Sequence, residues 1–580
     1  MITKSIKKYL LACSACCFIT ATLTSCSDIL ETESNLVEFE KDNTLNHPTD
    51  SVYSVLGIVN KMQLIADRVV LLGEMRGDLT EVTDAASADL KRLAAFDFSQ
   101  PNKYNAVSDY YGVINNCNYY LAHVDTALQR RGRTLFRAEY AAVKAFRAWT
   151  YLQLAQAYGQ VPLVLQPVMT EQEAQQALSM KHSSLQDICN YFIDDLTPYA
   201  RVELPEFGSI GNWDSKEFFI PMRALLGDLC LWAGRYQEAA RWYHDYLNDE
   251  QNPITLSPHR ITWPSVSEFL RPTNGYSFTS SSEVLSVIPM ENRVFDGVVS
   301  DLRNIFGSTN ENNYYYQLTP SAAMRQLSAA QTYCMEYKTD THTDTIYAPT
   351  VGLQEDILVG DLRLYANYRM TSVGGQDPYS EYSSLRQTIN KIVEDRVMTY
   401  RRSMVYLRYA EALNRAGLPQ SAFAILKYGL CPENVVNYVD SLEQEKAGQL
   451  IAFDANTFTK ETTFGIHSLG SGDSEANAFY ELPMPDHALN SREDTVQYQI
   501  PLVEDLIINE MALEGAFEGY RYYDLMRVAL RRNDPAYLAK PVARRSGTVD
   551  ATLESLLMDP KNWYLPLPGF RAKREVKNEK

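Results

Sequence analysis

The stretch Ala224-Leu225-Leu226-Gly227-Asp228-Leu229-Cys230-Leu231-Trp232-Ala233, followed by Gly234-Arg235-Tyr236 and then Gln237-Glu238-Ala239-Ala240-Arg241-Trp242-Tyr243, decides the fold. One helix ends at Gly234, Arg235-Tyr236 turns the chain, and a second helix begins at Gln237. The small residues Gly227 and Ala239 sit where the two helices cross. Tyr243 fills the groove beside them.

These positions fall near those a tetratricopeptide repeat requires. A second such unit runs from Tyr406 to Gly417, with Ala422, Ile425 and Leu426 on its second helix. Helices at 108–128 and 135–158 make another. The second of these is rich in alanine (Ala138, Ala141, Ala142, Ala145, Ala148, Ala155, Ala157) and stops at Gly159, with Pro162 beyond. The expected helix pairs occupy about 108–160, 219–248, 403–430 and 503–531. They lie far apart in sequence, so they form no tandem array and must meet in space. The fold class is mainly α: tetratricopeptide-like helix pairs forming a scaffold, with long irregular loop insertions and a few short strands.

Outward from these pairs, the pattern Val52, Val55, Leu56, Val59, Met62 predicts a helix after Pro48-Thr49-Asp50. Residues 73–103 read largely as loop. Glu283-Val284-Leu285-Ser286-Val287-Ile288-Pro289 reads as a strand within the insertion 250–400, and 455–500 is loop-rich. Loops on a rigid base are where binding residues concentrate, although they also serve simply to cover a scaffold.

The N-terminus carries compartment information. Lys4, Lys7 and Lys8 precede an apolar run over 9–23, too short to span a bilayer, and Leu23-Thr24-Ser25-Cys26 follows. This order resembles a bacterial lipobox, in which the thiol of Cys26 takes up lipid and becomes the first mature residue. A soluble secreted chain is the alternative. The expected organisation is a cleaved signal over 1–25, a lipidated tether over 26–48, and one domain over 49–580.

Composition narrows the partners. The chain has 580 residues, 45% hydrophobic and 22% charged, so a large core forms without covalent staples. Its net charge of -18 argues against nucleic acid and against electrostatic attachment to anionic lipid. Beyond the signal, Cys117, Cys189, Cys230, Cys334 and Cys431 are scattered and odd in number, unlike a disulfide framework. The 38 tyrosines suit helix packing and equally suit contact with sugar rings or peptides.

No HExxH, GxSxG, P-loop or dinucleotide-binding fingerprint occurs, and no histidine pair has metal-ligand spacing. No cofactor, metal or catalytic residue is expected. Calcium at the acidic loop 78–89 and a glycosidase carboxylate pair remain as the alternatives that spacing alone leaves open.

Several stretches together resemble the SusD/RagB family of Bacteroidetes. Ser25-Cys26-Ser27-Asp28-Ile29-Leu30 is similar to its lipidated start. Arg137-Ala138-Glu139 through Tyr158-Gly159-Gln160-Val161-Pro162 resembles its Arg-Ala helix ending in Tyr-Gly-x-Val-Pro. Leu407-Arg408-Tyr409-Ala410-Glu411-Ala412 resembles its Leu-Arg-x-Ala-Glu segment. Glu518-Gly519-Tyr520-Arg521-Tyr522-Tyr523-Asp524-Leu525-Met526-Arg527 is close to its Glu-Gly-x-Arg-x-x-Asp-Leu-x-Arg signature, and Leu565-Pro566-Leu567-Pro568 to its terminus. Physically, Glu510, Glu514, Glu518, Arg521 and Arg527 place opposite charges within helical reach. They are expected to pair with one another inside or beside the helical base.

The resemblance implies a non-enzymatic, outer-membrane lipoprotein facing the cell exterior. Such a protein binds an oligosaccharide, or in some branches peptide, and sits as a lid on a SusC-like TonB-dependent transporter. Rival readings are a surface glycosidase and a purely structural scaffold. The family's site lies in loops opposite the helical base. By position that points to Arg76, Asp78, Tyr104, Phe295, Phe306, Asn313, Tyr314, Tyr315 and Tyr316 as ligand contacts, with packing under a loop as the alternative role of the 312–316 run. Trp213 and Trp263 are further candidates, whereas Trp149, Trp232 and Trp242 fall in repeat helices. The absence of tryptophan from 291–320 argues against starch.

Overall fold

The computed structural model describes Leu45 and residues 47–211, 213–256, 283–291, 297–307, 316–338, 341–347, 360–373, 384–392 and 395–567. Cys26, Trp263, Phe295, Asn313, Tyr314 and Tyr315 lie outside the described residues.

The helices that carry the scaffold are α1 (Pro48–Glu74), α2 (Ala88–Ala94), α3 (Val107–His123), α4 (Arg137–Tyr158), α5 (Leu185–Leu196), α6 (Met222–Ala233), α7 (Tyr236–Leu247), α8 (Arg402–Arg415), α9 (Pro419–Lys427), α10 (Arg492–Glu514) and α11 (Arg521–Arg532). Four pairs of sequence neighbours pack together: α3 on α4, α6 on α7, α8 on α9, and α10 on α11. Contacts of α4 with α5, α5 with α6, α7 with α8 and α8 with α10 join the pairs, and α11 returns to α1. The strands are short two-stranded ribbons, among them β1 (Thr80–Val82) with β3 (Leu318–Pro320), and β2 (Val284–Pro289) with β4 (Arg396–Arg401). Strand β2 is the one its sequence predicts, and Val284, Val287 and Ile288 are buried on it.

The α6–α7 pair shows why the small residues are needed. A Cβ at Gly227 would lie 2.4 Å from Tyr243 Cε1, so the helices approach closely only because none is there. Gly234 ends α6 in the left-handed conformation at φ 77°. The buried Tyr243 hydroxyl donates to Asp228 Oδ1 at 2.6 Å. Asp228 Oδ2 also accepts from Tyr400 at 2.7 Å and from Arg408 at 2.9 Å. One carboxylate thus ties α6, α7, β4 and α8 together, and its bonds replace the water it gave up.

Helix α1 runs further than its sequence pattern predicts, to Glu74, into residues expected to be loop. The apparent breaker Gly73 is instead a contact: a Cβ there would lie 1.7 Å from the Gly519 carbonyl oxygen. The helix opens with His47 Nδ1 accepting from the Thr49 amide at 3.3 Å and with Pro48 in the first turn, where its missing N–H costs nothing. Helix α10 likewise starts early, at Arg492, with the Ser491 hydroxyl as its cap and Pro501 carried inside it.

The charged signature near the C-terminus is buried, as expected, but its members reach outward for partners. Glu510, Glu514 and Glu518 share one face at four-residue spacing. That face meets the middle insertion. Arg363 Nη2 pairs with Glu510 at 2.6 Å and Nη1 with Glu514 at 3.0 Å, and Asp361 holds the guanidinium from its other side at 2.7 Å. Arg401 pairs with Glu514 at 2.7 Å, Glu518 at 2.7 Å and Glu283 at 3.1 Å. Lys391 donates to the Glu514 and Ala516 carbonyls at 2.7 and 2.9 Å. Gly519, at φ 92°, breaks the chain direction, so Arg521 and Arg527 belong to a different helix. Arg521 pairs with Asp78 at 2.7 Å, and Arg527 with Glu411 and with Asp524, the latter at 2.9 Å. Of these pairs only Arg527–Asp524 and Arg363–Asp361 are local. The network fastens the loop insertions to the helical base.

Cys117, Cys189, Cys230, Cys334 and Cys431 are free and buried. Among the described residues no helix is long and apolar enough to cross a membrane.

Candidate functional site

Of the three loop regions expected to bind, about 73–105, 250–400 and 455–500, the first two meet at one ribbon. β1 and β3 pair antiparallel with Glu81 opposite Thr319 and Val82 opposite Leu318. Hydrogen bonds at both ends fix the pairing. Thr83 donates its amide to the Gln317 carbonyl at 2.9 Å and its hydroxyl to the Tyr316 carbonyl at 2.6 Å. The Gln317 side chain accepts from the Ser87 amide at 2.9 Å, at the start of α2. Ser321 closes the other end, its amide on the Leu79 carbonyl at 2.9 Å and its hydroxyl on that of Asp78 at 2.5 Å.

Directly opposed residues share a face, so Glu81 and Thr319 point the same way. Thr319 Oγ1 lies 3.1 Å from the Tyr368 hydroxyl, and Arg325 sits over the Tyr368 ring at 5.6 Å. Burial raises the Tyr368 phenol, and Tyr316 interacts with it as well. Burial also raises the Glu81 carboxyl, opposed by the positive charges of Arg545 and Arg325. The result is a ledge of half-buried Tyr316, Thr319, Arg325 and Glu81 backed by the buried Tyr368. It offers hydroxyl groups that both donate and accept, one guanidinium and one carboxylate, beside aromatic rings.

Tyr316 holds a positive φ of 66°, uncommon for a bulky residue. The neighbouring turn permits it. Gly307 approaches so closely that a Cβ there would lie 3.1 Å from the Tyr316 amide nitrogen. The Gln317 amide donates to the Ile305 carbonyl at 2.9 Å and holds the backbone after Tyr316. Retained strain of this kind is found where a side chain must be aimed.

The other expected contacts are placed differently. Arg76 is fully buried, donating to the Leu72 carbonyl at 2.8 Å, the Trp563 carbonyl at 2.9 Å and the Tyr523 hydroxyl at 3.0 Å, over the face of Tyr522 at 4.2 Å. Asp78 accepts two bonds from Arg521, at 2.7 and 2.9 Å. A surface ligand meets neither side chain without breaking these bonds. Tyr104 is buried, its ring beneath the Lys103 ammonium at 4.9 Å and its phenol pushed up by burial. Phe306 is in the core, edge-on to Phe517 at 6.4 Å. Trp213 is half-buried with Arg396 stacked over it at 4.5 Å. Of the described candidates, Tyr316 alone reaches the ledge. Thr319, Arg325, Tyr368 and Glu81 have no local motif, and only their placement across the ribbon distinguishes them.

Among the described residues no three His, Cys, Asp or Glu side chains are placed to hold a metal ion. In the acidic stretch 78–89, Asp78 is taken by Arg521 and Asp89 by Arg92 at 2.5 Å.

No protein-family model matches this sequence, and no curated protein does. Solved structures do. A SusD superfamily protein from Bacteroides vulgatus superposes with a TM-score of 0.53 at 15% identity, over 90% of this chain and 96% of that one. A SusD-like carbohydrate binding protein from the same organism gives 0.51 at 15% identity, over 83% of this chain and 84% of its own. A further SusD superfamily protein from that organism gives 0.50 at 15% identity, over 83% and 89%.

Proposed function

We propose, from the premise that this chain has the SusD-type fold along nearly its whole length, that it captures an oligosaccharide outside the cell and passes it to a SusC-like TonB-dependent transporter. The observation that carries this reading is the ledge at the β1–β3 ribbon, where two of the loop regions expected to bind converge. Sugars bind through hydroxyls to groups that donate and accept, and through their apolar faces to aromatic rings. Tyr316, Thr319, Arg325 and Tyr368 supply these groups together. A solved neighbour of the same fold is named a SusD-like carbohydrate binding protein, which supports the ligand class.

The reading is of a binding protein with no chemistry of its own. Glycoside hydrolysis needs two carboxyl groups flanking one bond. Glu81 is the ledge's one carboxylate among the described residues. The membrane attachment proposed here is a lipid on Cys26 after cleavage of residues 1–25, which the basic, apolar, small-residue order of the leader supports. Mass spectrometry of the chain expressed in a lipoprotein-processing host tests this. A diacylated Cys26 as first residue supports it, and an unmodified Met1 start overturns it.

Binding is tested by calorimetric titration of neutral glycans from plant, host and microbial sources. Saturable heat with at least one class, lost in Tyr316→Ala, supports the reading. Flat traces throughout, or product release by the purified protein, overturn it. Co-purification of a large outer-membrane barrel from the native membrane supports the transport step, and recovery of the chain alone contradicts it.

A further inference from the structure

A spacious concavity lies elsewhere, among the helix ends. It has a volume of 1540 Å³ and is bounded by the loop after α2, the turn after α4, the start of α5, the ends of α6 and α11, and the chain leading out of the fold through Lys561 and Tyr564. Common small-molecule sites occupy about 300–1,000 Å³, so this cleft has room for an oligomer.

Its chemistry is unusual for this protein. In a chain of net charge -18, no Asp or Glu lines the cleft, while Arg527, Arg531 and Lys561 do. Arg527 is neutralised by Glu411 and Asp524. Arg531 donates to the Trp232 carbonyl and Lys561 is exposed, and neither makes an ion pair among the described residues. Three exposed glutamines, Gln100, Gln160 and Gln186, line the same walls with no side-chain hydrogen bond within the described structure. Asn102, Asn105 and Asn562, by contrast, donate to the carbonyls of Asp89, Pro566 and Leu556. The half-buried rings of Phe98 and Tyr564 complete the lining, and Tyr564 lies against Gly159 at a distance that a Cβ there would reduce to 3.0 Å.

We infer that this cleft is a second binding site, for the carboxylate-bearing unit of an acidic oligosaccharide. Lys561 and Arg531 meet the carboxylate, the three glutamine amides bond ring hydroxyls, and Tyr564 and Phe98 stack on the apolar sugar face. A charge-assisted bond to an otherwise unpaired cation is about twice as strong as a neutral one, which makes the carboxylate the discriminating group. The inference rests on reading the chain as a glycan binder, but it concerns different residues and a different sugar class from the ledge.

The test uses the full chain and two acidic probes, trigalacturonate and sialyllactose, each beside its carboxyl-reduced form. At least one acidic probe is expected to bind about tenfold more tightly than its reduced form, with an affinity that falls as salt rises. Lys561→Gln and the double variant Gln160→Ala/Gln186→Ala are expected to weaken that binding without changing the melting temperature. Tyr316→Ala should leave it unchanged. Absence of binding by both acidic probes overturns the inference, as does equal binding of acidic and reduced forms or insensitivity to Lys561→Gln. Loss of acidic binding in Tyr316→Ala assigns the sugar to the ledge and also overturns it. Preferential binding of tri-glutamate shows an acidic-peptide site instead. Neutral glycans failing at the ledge while acidic ones bind the cleft contradicts the first reading alone.

Discussion

Arg401 Nη1 lies 2.7 Å from Glu514 Oε1, and its Nη2 donates to the Glu514 main-chain carbonyl at 3.0 Å. Both side chains are fully buried, 113 residues apart in sequence. This pair joins the middle insertion to the end of α10. It therefore fastens the β2–β4 ribbon of that insertion to the helical base.

Removing one member leaves buried charge without a partner. Arg401→Met leaves Glu283 without its cation and takes one of two from Glu514 and from Glu518, and breaking a buried pair in this way costs about 3–5 kcal/mol. The melting temperature should fall steeply, and Arg401→Lys should restore little, because one ammonium cannot serve the carboxylates on both sides of the fork. A melting temperature unchanged in Arg401→Met would show that the network adds nothing to stability.

The α6–α7 crossing is tested by Gly227→Ala. The new methyl meets the Tyr243 ring at 2.4 Å, and overpacking of this kind costs about 1–3 kcal/mol. Chemical denaturation should show a lower midpoint with an unchanged slope. The double variant Gly227→Ala/Tyr243→Leu should behave differently from the sum of the two single variants, since the residues touch. Strict additivity would argue against direct contact.

Stability should also carry the signature of Glu74. Its carboxyl is fully buried, accepts from the Gly519 amide at 2.9 Å, and is pushed up by desolvation from 4.5 to about 7. A raised carboxyl favours the protonated native state. Its stabilising contribution is complete below pH 4.5 and declines as pH rises from there through 7. The full swing is on the order of 3 kcal/mol. Glu74→Gln keeps an acceptor for Gly519 and cannot ionise, so its advantage over the natural chain should grow across that window and level off above it. Parallel stability curves for the two proteins would contradict this account.

Much of the scaffold is legible in the sequence because it rests on local rules. The spacing of Gly227, Gly234 and Tyr243 identifies a close helix pair without any knowledge of its surroundings. The end of α1 is not legible, because Gly73 looks like a stop signal and is in fact a site of backbone contact with Gly519, distant in the chain. The acidic face of α10 is visible as charge at four-residue intervals, but its partners Arg363 and Arg401 lie in an insertion that no local pattern connects to it. The same holds for the ledge. Tyr316 stands out in a run of amides and aromatics, whereas Tyr368 and Arg325 become neighbours of Thr319 only through tertiary packing. Arg76 and Asp78 lie in the expected loop, but the C-terminal helices and Trp563 cover them.

The ledge itself predicts a particular mutational pattern. Arg325→Ala and Tyr316→Ala remove groups from a half-buried surface, so both should keep the fold and lose ligand. Arg76→Ala should do the reverse, lowering the melting temperature because it removes three buried hydrogen bonds, to the Leu72 and Trp563 carbonyls and the Tyr523 hydroxyl. Thermal melts run beside ligand titrations separate the two classes. Ligand loss with an intact fold in Arg76→Ala would move the site toward α1.

The central claim, glycan capture at the β1–β3 ledge, meets its most direct test in one measurement. This is calorimetric titration of the intact protein and its Tyr316→Ala variant with a neutral glycan that the intact protein binds. A drop in affinity of about tenfold or more with an unchanged melting temperature is the predicted result. Identical affinity in the two proteins would contradict the account.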